Sequence, residues 1–107
     1  MADAAETSDR MADLQKMRVA MVILLSQETS KLLSRRQRVG GKEIEVMCAE
    51  RDLAESTDTD RDRQTLDALY REEDAARQAL AETEQGIQRM EDVLAKIDAD
   101  IAKLCQA

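Results

Sequence analysis

Tryptophan, phenylalanine, proline and histidine are all missing from this 107-residue chain, and tyrosine occurs once. Without large aromatic rings a compact globular core lacks the side chains that usually dominate burial. Without proline, and with only three glycines, the composition is that of long helices rather than of sheets or disorder. Two cysteines without any histidine do not make a metal site, and they are expected to be incidental thiols in a reducing compartment. No catalytic, cofactor or metal motif is present.

What the chain has instead is charge and aliphatic bulk: 36% of residues are charged, and the net charge is −7. That balance argues against a general nucleic-acid binder, because counterion release needs a surplus of Lys and Arg on the contact face. The longest apolar run, Val19 to Leu25, falls well short of the about 20 residues that span a bilayer. The N-terminus opens on acidic and small residues where a secretory signal needs a basic region and then an apolar one. These features lead us to expect a soluble cytoplasmic chain of one domain.

The aliphatic residues are strongly ordered along the second half. Steps of three and four from Leu66 meet Leu66, Leu69, Glu73, Ala76, Leu80, Thr83, Ile87, Met90, Leu94, Ile97, Ile101 and Leu104. Ten of these twelve positions are apolar, the pattern of positions a and d in the seven-residue repeat of a coiled coil. Such a stripe needs a partner helix. The first half supplies one, with Met11, Arg18, Leu25, Leu32, Val39, Val46 and Leu53 at a and Leu14, Met21, Glu28, Arg35, Lys42 and Ala49 at d. Here the d row turns polar in its middle.

The boundaries follow from local chemistry. Residues 1–8 read as a disordered N-terminus, with Ser8 or Asp9 as the first cap. A helix is expected over 9–55, with Gly40-Gly41 as a kink or flexible point, since each glycine costs about 1 kcal/mol against alanine. Ser56, Thr57, Asp58 and Thr59 are turn formers, and Thr59 with Asp62 has capping-box spacing. A turn at 56–59 and a second helix over 60–105 follow. The domain is then 9–107, an all-α antiparallel two-helix coiled-coil hairpin that could pair into a four-helix bundle.

A register test supports this arrangement. If residue i faces residue 115 − i, the two rows mesh layer by layer, with Val39 against Ala76, Val46 against Leu69 and Ala49 against Leu66. The midpoint falls between Thr57 and Asp58, inside the turn. Lys42 shares a layer with Glu73, and the basic run Lys31, Arg35, Arg36, Arg38 and Lys42 lies beside Glu72, Glu73, Asp74, Glu82 and Glu84. Most of that run is thereby neutralised, and no aromatics interleave with it for base stacking. Cys48 faces residue 67, leaving Cys105 roughly 57 Å away at 1.5 Å per residue, so a disulfide would have to join two chains.

Three surfaces remain. Val19, Val22, Ile23, Leu24 and Leu33 sit outside the seam and, with Met17, make the first helix apolar almost all round; a helix apolar on every side is usually covered on every side. They are the expected partner-binding residues, for a second copy in a homodimer or for an amphipathic helix of another protein. The seam residues Arg18, Glu28 and Arg35 are expected to reach its edge. The stretch Leu14 to Arg51, with Arg18, Arg35, Lys42, Glu50 and Arg51, is similar to the long first helix of all-helical chorismate mutases, which carries two well-separated arginines followed by a lysine. That resemblance implies a small all-helical enzyme holding an anionic ligand; the later spacing departs from the family pattern, and Gly40-Gly41 interrupts it. The tip, Asp58, Asp60 and Asp62, is similar in outline to the acidic coiled-coil tips of transcript-cleavage and secondary-channel factors of bacterial RNA polymerase, which implies a regulator inserting its turn into a large enzyme. In overall outline the chain also resembles the small hairpin stalk proteins of flagellar and type III export systems. The reading the residues favour is a non-enzymatic interaction module: an adaptor, assembly factor or chaperone-like subunit of a larger complex.

Overall fold

The computed structural model describes residues 3–106 and is all-helical, with no strand among those residues. Its elements are α1 (Ala4–Ser30), α2 (Leu32–Ala54) and α3 (Thr59–Gln106). None of these helices is long and apolar enough to cross a membrane.

α1 begins earlier than the sequence suggests. The Asp3 carboxylate accepts a hydrogen bond from the Glu6 backbone N–H at 2.8 Å, and the Thr7 N–H and hydroxyl both donate to the Asp3 carbonyl at 3.1 Å. Asp3 therefore caps the first turn in place of Ser8 or Asp9. The disordered segment expected over 1–8 is corrected for residues 4–8, which are helical; residues 1 and 2 lie outside the described residues.

The helical ladder lapses once, at Lys31 rather than at Gly40-Gly41. Lys31 keeps right-handed dihedrals of −82° and −17°, and its carbonyl accepts the Arg35 N–H at 3.0 Å. Thr29 and Ser30 precede it, residue types whose hydroxyls compete for backbone groups. α2 then runs unbroken through both glycines, neither of which has a positive φ. Glycine lowers helix stability, but flanking turns that bury Val39 and Val46 on the seam hold the segment helical.

Two compact units divide the chain, one formed by the segments up to Thr29 and from Gln85 onward, the other running from Ser30 to Glu84. In the second unit Val46, Ala49 and Leu66 form the core, with Leu53 and Leu69 packed against it. Val39 and Ala76 are also buried, and Thr83 is more deeply buried than any of them. α2 and the first part of α3 run in opposite directions there, since Glu43 reaches Arg77 while Glu50 reaches Tyr70. In the first unit Leu14 and Ile97 are buried, and Met11, Met21, Leu25, Leu94, Ile101 and Leu104 are half-buried. Each buried residue lies on an a or d row.

The turn between α2 and α3 is held by side chains. α2 closes on a tightened last turn, with the Ser56 N–H donating to the Leu53 carbonyl at 3.2 Å. The Ser56 hydroxyl accepts the Asp58 N–H at 2.9 Å, and the Asp58 carboxylate accepts the Arg61 N–H at 3.2 Å. The cap of α3 is thus Asp58, one residue before the Thr59 expected from capping-box spacing. Asp58→Ala should destabilise the chain by about 1 kcal/mol, read as a lowered urea midpoint. Asp60→Ala, which removes only a charge near the helix start, should cost a few tenths; equal losses for the two would contradict the assignment of the cap.

Candidate functional site

The candidate site is built on the middle of α1. From Val19 to Gln27 there is no charged residue on any side of the helix. At 3.6 residues per turn, Met21 and Leu25 point to the seam and are half-buried, while Val19 and Ile23 project on the opposite face, with Val22 and Leu24 at its flanks. Val19 is 59% and Ile23 52% exposed, and Val22, Leu24 and Met17 are exposed as well. Val19 and Ile23 share a shallow groove with Ala12, Gln15, Lys16 and Ala20. The structure therefore brings together four of the five residues singled out in the sequence. Leu33 belongs to the unit from Ser30 to Glu84 and is exposed on α2.

A second exposed apolar surface was not singled out from the sequence. Ile44 and Met47 project from α2, bordering a shallow depression with Cys48 and Arg51. Their signal was available: both occupy outward heptad positions, where an apolar side chain is unexpected.

The polar seam residues are engaged within the chain. The Arg35 guanidinium donates to the Thr83 hydroxyl and, at 3.2 Å, to the Ala79 carbonyl. Thr83 in turn donates to the Ala79 carbonyl at 3.0 Å. Arg18 pairs with Asp98 at 2.7 Å, close to half-exposed on both sides. Lys42 does not pair with Glu73, the residue of its own layer. Its ammonium leaves the seam to meet Glu72 and Glu45, each at 3.0 Å, and these hydrogen bonds hold its pKa above the usual lysine value. Glu73 instead lies 3.5 Å from Arg77. The Tyr70 hydroxyl donates to Glu50 at 3.1 Å, which raises the phenol's pKa. Of the five residues that carry the likeness to chorismate mutases, Arg18, Arg35, Lys42 and Glu50 thus have in-chain partners, and Arg51 lies 3.9 Å from the Cys48 sulfur.

At the tip, Asp58 is the cap of α3 and Asp62 lies 3.4 Å from the Arg61 guanidinium. Asp60 is exposed. No group of three or more His, Cys, Asp or Glu among the described residues is placed to hold a metal ion. Both cysteines are free and exposed.

The chain matches no protein family, no curated protein sequence and no solved structure.

Proposed function

We propose that this chain is a non-enzymatic interaction module of the cytoplasm, an antiparallel helical hairpin that serves as adaptor, assembly factor or chaperone-like subunit of a larger complex. The face formed by Val19, Val22, Ile23 and Leu24 is its docking surface, and it takes up the apolar side of an amphipathic helix from another protein. One observation carries this reading: a charge-free stretch of α1 leaves its outer aliphatic side chains in water, although burying each would gain about 1.5–3 kcal/mol. Lys16 at the edge of the groove suits an acidic flank on the incoming helix.

A photoreactive residue at position 23, introduced in the cells that make the protein, identifies the bound chain, which is then purified and titrated. Ile23→Asp should weaken binding by about 2 kcal/mol or more, roughly thirtyfold, with unchanged helical dichroism. Asp60→Ala should leave affinity unaltered. If Asp60→Ala abolishes binding and Ile23→Asp does not, the acidic tip is the working surface and this reading fails.

A further inference from the structure

We propose that the outer stripe of α2 is a self-recognition surface, on which a second copy of the chain lays its own α2 antiparallel, the two helices crossing at Gly40-Gly41. This concerns a different face from the α1 surface and does not depend on it.

The most exposed large apolar side chains among the described residues are Met47, Leu33 and Ile44, at 67%, 65% and 63%. At 100° per residue all three fall on one side of α2, with Gly40 between them on that side and Gly41 at its margin. The glycines have no role in the chain's own fold. A Cβ at either would meet nothing within 4 Å, and neither adopts a positive φ. Glycine in a helix interior is unfavourable relative to alanine, and a bare backbone is useful where another backbone must come close. A flat centre between bulky apolar ends fits a crossing helix.

Charge selects the occupant and its direction. The first half of α2 carries Arg35, Arg36 and Arg38 and no acid, whereas Glu43, Glu45 and Glu50 follow the glycines. Arg35 is used inside the unit, but Arg36 and Arg38 are exposed and have no ion-pair partner among the described residues. An antiparallel copy centred on Gly40-Gly41 sets residue i level with 81 − i, so Leu33 meets the Met47 and Cys48 end of the second copy. A two-fold axis also brings like flanks of the two helices together. On the one flank that carries both residues, Arg36 then faces Glu43 of the second copy, and Glu43 faces its Arg36. A parallel pairing would place Arg36 and the Glu43 of the second copy on opposite edges of the contact, where they form no ion pair. Glu43 already holds Arg77 at 2.8 Å, but a carboxylate's two oxygens can accept from a second cation.

Sedimentation equilibrium of the full chain over rising concentration tests this. The mass should climb from 12.0 kDa toward twice that value. Gly40→Leu should hold it at the monomer value, while helicity and melting temperature in dilute solution stay equal or rise, because the space around that Cβ is open. Arg36→Glu and Glu43→Lys should each self-associate at least tenfold more weakly than the unaltered chain, and their equimolar mixture should recover its affinity. A chain that remains monomeric, a Gly40→Leu variant that still dimerises, or a mixture no tighter than its separate components would each overturn the proposal. So would a dimer abolished by Ile23→Asp alone, which would place the second copy on α1.

Discussion

Val46→Asp should unfold the segment between Ser30 and Glu84, whereas Met47→Asp, one residue on, should leave it folded. Val46 is buried in the cluster with Ala49 and Leu66, under Leu53 and Leu69. An aspartate there has no cation within that aliphatic cluster, and an uncompensated buried charge costs about 3–5 kcal/mol. Domains of this size hold only about 5–15 kcal/mol in total. The core is one stripe thick and has no aromatic ring, so no second layer makes up the loss. Met47 points into solvent, and its replacement should cost about 0.5 kcal/mol, the helix-propensity difference. Urea unfolding followed by far-UV dichroism at low protein concentration compares the two. Coinciding midpoints would mean that Val46 is not in the core.

The second large effect is asymmetric. Thr83→Val should destabilise the chain by about 1–3 kcal/mol, yet Arg35→Met should change stability by less than about 1 kcal/mol. Valine in place of Thr83 leaves the Arg35 guanidinium without one of its two acceptors, the more buried one. Methionine in place of Arg35 removes the charge and its desolvation together, and Thr83 keeps its bond to the Ala79 carbonyl. The double variant should recover most of the loss, with a coupling of about 1 kcal/mol or more. Strictly additive costs in the same unfolding measurement would show that the bond carries no net energy.

The layers of the seam could be read from sequence because aliphatic periodicity and burial report the same geometry. Val39, Val46, Ala49, Leu66, Ala76 and Ile97, all assigned to a and d rows by counting, are buried. The turn centre between Thr57 and Asp58 also falls where α2 gives way to α3. Counting did not settle how long side chains leave their layer. Lys42 has four flexible bonds and turns to Glu45 and Glu72 on the flank rather than to Glu73, a choice set by local carboxylate positions and not by the heptad. It also misplaced the lapse in the first helix, because propensity marks Gly40-Gly41 as weak while tertiary packing decides whether the weakness is expressed. The exposure of Val19, Val22, Ile23, Leu24 and Leu33 was legible from their outward positions in the repeat. Ile44 and Met47 carried the same sign, but Ile44 stands alone between Glu43 and Glu45, and the short run around Met47 reads as seam because Val46 and Ala49 belong to the a and d rows.

Tyr70 is the sole aromatic residue, and its hydroxyl bond to Glu50 joins α3 to α2 near their turn. A phenol held by a carboxylate passes its proton across on excitation and emits weakly, so the chain carries one built-in fluorophore that brightens when those helices separate. Its light reports on the unit from Ser30 to Glu84 and is blind to α1 and the far end of α3. Far-UV dichroism sees every helix. Superimposing the two signals through a denaturant titration distinguishes a chain that opens all at once from one that opens in stages, with no label attached.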